Sequence, residues 1–110
     1  MIKITIYQNV KKEYVGFQTE GHAGYAESGE DIVCASVSVL VINTINSIER
    51  LTEDSASVQS EEDSGMIKYR FEKTPSREAT LLFSAMVLGL KDMAEDEEYS
   101  KYIDLRFREV

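Results

Sequence analysis

Between Ile32 and Glu53 the chain runs without a single glycine or proline. About twenty unbroken residues is long for a strand and ordinary for a helix, so the stretch is predicted to be helical. Its β-branched residues (Val33, Val37, Val39, Val41, Ile42) and the alternation Val37-Ser38-Val39 suit a strand equally well. Length decides between them. Such a helix is apolar over most of its circumference and is expected to be buried on more than one side. Asp31 stands just before it, with the short carboxylate of an N-cap. Polar residues at Ser36, Ser38, Asn43, Thr44, Asn46 and Ser47 interrupt the apolar run, which is therefore not read as a membrane span.

The remaining chain alternates short strands with one further helix. Residues 2–8 place Ile2, Ile4 and Ile6 at period two, and residues 13–20 read as a second strand, with Gly16 as the bulge position. Asn9 and the lysines after Val10 mark the turn between them. Residues 55–62 and 66–73 flank the hairpin turn Asp63-Ser64-Gly65. Pro75 and Ser76 open a second helix, with Ala79, Leu82, Phe83, Met86, Val87, Leu90 and Met93 at helical spacing, ending near the acidic run Glu95 to Glu98. Tyr99 to Phe107 reads as a closing strand. The order β-β-α-β-β-α-β predicts an α+β domain, with both helices on one face of a mainly antiparallel sheet. At 110 residues, two cores would each be too small to fold alone, so residues 1–110 are expected to form one domain. A site on so small a body is expected in a surface cleft, or in one shared between subunits.

Charge narrows the function. Twelve Lys and Arg stand against twenty Asp and Glu, a net charge of −8. That balance argues against phosphate-neutralising contacts with nucleic acid and against anionic membrane surfaces. It favours fast encounter with a basic partner. One cysteine forms no internal disulfide and suits a reducing cytoplasm. The N-terminus, Met1-Ile2-Lys3-Ile4, lacks the apolar core of a signal peptide. One Cys and one His fall short of a structural zinc set, and no metal or cofactor is expected.

Residues 21–31 differ from the rest. Gly21, Gly24 and Gly29, half of the six glycines, fall in eleven residues, a composition predicted to form a loop and not a regular element. The only His, His22, and the only Cys, Cys34, bracket it. Closing so short a loop costs on the order of 2 kcal/mol. With Asp31 as cap, Cys34 falls in the first helical turn, where unpaired amides and the helix dipole stabilise a thiolate. A neighbouring imidazole supplies a base for a cysteine nucleophile and later an acid for the leaving amine. Amides at or after Cys34 are candidate donors to an oxyanion. Ser38, one turn on, shares the face of Cys34. Asp31 has a second candidate role, orienting the imidazole. Against this stands the ordinary reading of a lone cysteine as a small buried hydrophobe.

Gly21-His22-Ala23-Gly24-Tyr25-Ala26, followed by Asp31-Ile32-Val33-Cys34-Ala35-Ser36-Val37-Ser38, resembles the ribosomal-processing cysteine protease (Prp) family. The similarity extends along the whole chain, through Leu82 to Met93 and the closing Tyr-Ile strand. The resemblance implies His22 and Cys34 as a catalytic pair, supported by Asp31 and Ser38. It implies a flexible substrate loop through Gly21, Ala23, Gly24 and Gly29, and a homodimer. It further implies a substrate: large-subunit ribosomal protein twenty-seven, trimmed of an N-terminal extension after an aromatic-rich motif. The alternatives are a non-catalytic assembly factor that shields a basic ribosomal protein, and the same chemistry directed at another substrate.

Overall fold

The computed structural model describes the backbone of residues 1–21 and 28–110, and the side chains of 1–21 and 32–110. Strands β1 (Ile2–Gln8) and β2 (Tyr14–Glu20) precede helix α1 (Ser28–Leu51). Strands β3 (Ala56–Glu61) and β4 (Met66–Phe71) lead to helix α2 (Arg77–Glu95) and, after a short 3-10 turn, to β5 (Ile103–Glu109). The sheet order is β3-β4-β2-β1-β5. All neighbours run antiparallel except β1 and β5, which are parallel. The predicted α+β architecture and element order are those observed.

Period-two patterning builds the sheet. Ile2, Ile4 and Ile6 all point into the core, each no more than 2% exposed. Asn9 makes the β1–β2 turn: its Oδ1 accepts from the amides of Lys11 and Glu13 at 2.9 and 3.0 Å, while Lys12 takes a left-handed φ of 67°. Pairing slips at Tyr7/Gln8, where Tyr7 faces Gly16 and Gln8 faces Tyr14, so the extra bulge residue is Val15. Gly16 has another duty. A Cβ there would lie 2.0 Å from the Tyr69 carbonyl oxygen, so only glycine lets β4 approach.

Helix α1 departs from expectation at two points. It begins at Ser28, so Gly29 and Asp31 lie in its first turn and Asp31 is not the N-cap. The first turn surrenders no i−4 hydrogen bond, which makes Gly29 tolerable there, and Glu30 and Asp31 are residue types favoured at that end. Burial is also one-sided. Val33, Val37, Val41, Thr44 and Ile48 form the buried stripe, whereas Ile32, Val39 and Ile42 are 56%, 69% and 46% exposed. The five-stranded sheet covers one flank only, and the β-branched surplus is left facing outwards. The Thr44 hydroxyl, inside the apolar stripe, is satisfied locally by donating to the Leu40 carbonyl at 2.8 Å, and on the exposed face Ser36 donates to that of Ile32 at 2.9 Å. By length and composition alone, Ile32–Leu51 is long and apolar enough to cross a membrane. Here its buried stripe packs on the sheet.

Helix α2 packs Ala79, Phe83, Met86, Val87 and Leu90 into the same core. The Phe83 ring meets those of Tyr14, Phe17 and Phe71 at centroid distances of 4.6, 5.9 and 5.6 Å, which joins α2 to β2 and β4. α1 and α2 meet at Gly89, where a Cβ would lie 2.8 Å from Leu40 Cδ2, the movable tip of an α1 side chain. Ser76 caps α2 by accepting from the Ala79 amide at 3.1 Å. Its own amide and hydroxyl donate to Asp54 at 2.7 and 2.5 Å. This latch fastens the α1–β3 connection to the start of α2, and those bonds hold the Asp54 carboxyl below its ordinary pKa. Residues 99–102, predicted as strand, form the 3-10 turn instead. The Asp96 carboxylate causes this by accepting from the amides of Glu98 and Tyr99, which coils the chain before β5.

Candidate active site

Cys34 is the seventh residue of α1, in its second turn. The thiol is free and half-buried, one flank against the apolar core. Ser38 stands one turn further on, also half-buried. At 3.6 residues per turn the two share a flank. Of the residues predicted for the site, these are the two whose side chains the structure describes and brings together.

The others fall into three groups. His22, Ala23 and Gly24 lie outside the described residues, and so does the Asp31 side chain. Gly29, predicted as part of a loop, lies in the first turn of α1. Gly21, also assigned to the loop, is anchored. Its amide donates to the Ser64 carbonyl at 2.9 Å, which ties the exit of β2 to the β3–β4 turn. Its φ of 94° is a glycine conformation, and a Cβ would sit 2.6 Å from the Met1 carbonyl oxygen.

The longer helix corrects the electrostatic argument as well. Only the first four amides of a helix lack internal partners. Cys34 lies beyond them, so the amides at and after it are engaged in the helix and are not free oxyanion donors in this conformation. Among the described residues, what remains is a half-exposed sulfur on a helix flank with a hydroxyl one turn away, and the helix amides beside that sulfur do not form an anion hole. Among the described residues no three His, Cys, Asp or Glu side chains are gathered as metal ligands.

A free, half-exposed thiol on the first helix of an α+β domain is compatible with thiol chemistry, and comparison with known proteins gives the class. The family model described as cysteine protease Prp matches residues 1–104. The chain belongs to the Prp cysteine protease family. It is similar to the ribosomal processing cysteine protease Prp of Bacillus subtilis (strain 168), at 31% identity over 100 residues, covering 87% of this chain and 89% of that protein. Two solved structures of the essential ribosomal processing protease Prp from S. aureus share the fold. One, in complex with a substrate peptide, superposes with a TM-score of 0.90 at 28% identity, covering 98% of this chain and 100% of the other. The second, in complex with a covalently linked product peptide, gives 0.86 at 30% identity, again over 98% and 100%.

Proposed function

We propose that this protein is a cysteine endopeptidase that removes the N-terminal extension of large-subunit ribosomal protein twenty-seven, with Cys34 as nucleophile and His22 as its base. The observation that carries the reading is the free, half-exposed Cys34 thiol on α1 in a chain of the Prp family. The S. aureus relative, with a covalently linked product peptide, supports a nucleophilic route.

The chemistry runs in two stages. The Cys34 thiol passes its proton to the His22 imidazole, and the sulfur attacks the scissile carbonyl to form a C–S bond. The C–N bond then breaks as the imidazolium returns that proton to the leaving amine. Water hydrolyses the thioester, releasing the carboxylic acid and restoring the thiol. An oxyanion needs donors, and α1 engages those near Cys34. The first turn, Ser28 to Asp31, therefore unwinds when substrate binds, which frees amides next to the sulfur. Gly29 makes the unwinding cheap, because a helical glycine is roughly 1 kcal/mol less favourable than alanine. Ser38 hydrogen-bonds the thiolate or the peptide, and Asp31, released from the helix, is free to orient the imidazole.

The substrate fits the charge, since a protein of net charge −8 attracts a basic ribosomal protein. We place the reaction in the cytoplasm, where a lone thiol stays reduced. We further propose a homodimer, supported by the exposed apolar residues Ile32, Val39, Leu81 and Leu88 on the two helices.

The test is mass spectrometry of the purified protein incubated with the extended ribosomal protein, beside Cys34→Ala and His22→Ala. A single N-terminal cut made by the wild type and by neither variant is expected. Iodoacetamide should label Cys34 in the folded wild type faster than in His22→Ala. Cleavage by Cys34→Ala overturns the reading, and tight binding without cleavage selects a non-catalytic assembly factor.

A further inference from the structure

The sheet has two faces, and the helices cover one of them. Ile4, Ile6, Phe17 and Tyr69 point into the core beneath α1 and α2, so the residues that alternate with them point the other way. Register groups those outward residues into rows across the strands. One row runs Ser57, Arg70, Gly16, Tyr7, Arg108, and the next runs Gln59, Lys68, Gln18, Thr5, Arg106. All four cations in these two rows are exposed, and neither row holds an acid. The acids of this face, Asp104, Glu20 and Glu61, fall one row further along, level with Lys3 and Met66.

Net charge conceals this arrangement. A total of −8 predicts no contact with phosphate, but a total carries no information about position. Three of the five arginines stand on the open face. Arg106 is bound to Asp104 at 3.0 Å, whereas Lys68, Arg70 and Arg108 have no ion-pair partner among the described residues. A guanidinium offers a planar fork of donors that matches phosphate oxygens in pairs.

A second feature of the same rows indicates what the anion belongs to. Gly16 has no side chain, and a recess of about 190 Å³ opens there beside Tyr7. Val15 and Val110 add apolar walls, and Lys68 and Arg70 stand at its rim. An aromatic wall, apolar neighbours and a cationic rim fit a planar base with its phosphate better than a carboxylate on a short aliphatic stem. Lys68 and Arg70, two residues apart on β4, are separated by about 6.6 Å, an interval like that between successive phosphates of an extended single strand. In the second row Gln59, Gln18 and Thr5 interleave the cations with amide and hydroxyl groups suited to a ribose 2′-hydroxyl.

We propose that the open face of the sheet binds single-stranded RNA, with one base seated in the Gly16 recess against Tyr7 and the backbone phosphates on Lys68, Arg70 and Arg108. This face is opposite the one that carries α1 and Cys34, so the proposal does not rest on the peptidase reading. The acidic remainder of the molecule repels nucleic acid, which keeps the contact local and makes it strongly salt-dependent.

The test uses the full wild-type chain and a fluorescein-labelled oligouridylate of twelve nucleotides, titrated at about 50 mM salt and followed by fluorescence anisotropy. Arg70→Gln with Arg108→Gln should weaken binding about tenfold and reduce the slope of log affinity against log salt by about 1.4. Arg50→Gln with Lys101→Gln removes the same charge from α1 and the 3-10 turn, and should weaken binding less than about twofold. Tyr7→Leu, which keeps an apolar side chain beside the recess, should weaken it about fivefold, with an unchanged circular-dichroism spectrum showing the sheet intact. Oligodeoxyuridylate of equal length should bind at least about threefold more weakly, because its 2′-hydroxyls are gone. Equal losses from the two charge pairs, or no loss from the first, overturn the site. A polyglutamate of twelve residues that binds as tightly as the RNA, or equal affinity for the DNA, overturns the assignment to RNA.

Discussion

Gly21 carries two constraints in one residue: a φ of 94° and a Cβ position 2.6 Å from the Met1 carbonyl oxygen. Alanine there should cost about 2 kcal/mol or more, seen as a lower denaturation midpoint in urea, because strain and steric overlap add. Asp54 gives a pH-dependent counterpart. Its folded pKa lies below the ordinary 3.8, so the stability it contributes is complete above 3.8 and is lost as pH falls towards the folded value. Melting curves of wild type and Asp54→Asn between pH 2.5 and 6 should therefore converge at the acidic end and separate above 3.8. Ser76→Ala, which removes the cap and one of the two donors that residue 76 offers Asp54, should cost about 1 kcal/mol and reduce the same pH dependence without abolishing it, since the backbone amide still donates.

At the scale of elements, α1 is the part whose boundaries carry function. A helix starting at Ser28 puts Cys34 in the second turn, where the amides beside it are already engaged. Gly29→Ala should therefore raise thermal stability while lowering kcat for the extended substrate several-fold, with stopped-flow kinetics as the readout. Equal turnover in that variant would mean the first turn need not open. The connection after the opposite end of α1 is fastened by the Asp54–Ser76 latch to α2, so the unwinding proposed above would be confined to the end that bears the thiol.

Across the whole molecule, net charge is the property that acts at a distance. An acidic protein meeting a basic substrate gains association rate from its field, and salt removes the gain. Raising ionic strength from 0.02 to 0.5 M should depress kcat/KM for the extended ribosomal protein about tenfold and leave kcat at saturation unchanged. The exposed apolar residues of α1 and α2 lie on the side away from the sheet, so the proposed dimer contact would leave the sheet's own packing untouched.

Local physics made much of this protein legible from its residues. Period two in Ile2, Ile4 and Ile6, helical spacing from Ala79 to Leu90, and the turns at Asn9 and Gly65 each depend on neighbours a few positions away. The thiol and its motif were legible because unusual residues at fixed spacing need no fold to be noticed. Helix ends were not: the start at Ser28 and the 3-10 turn at Tyr99 turn on weak differences between competing hydrogen bonds. Nor were contacts across strands and helices, such as Gly16 beneath the Tyr69 carbonyl, or Ser76 bound to Asp54 twenty-two residues earlier. The recess lined by Glu49, Asp54, Tyr69 and Glu72 belongs with these, since only folding brings those segments together. Short-range chemistry is written residue by residue, whereas convergence of distant segments is a product of the closed sheet and the helices laid upon it.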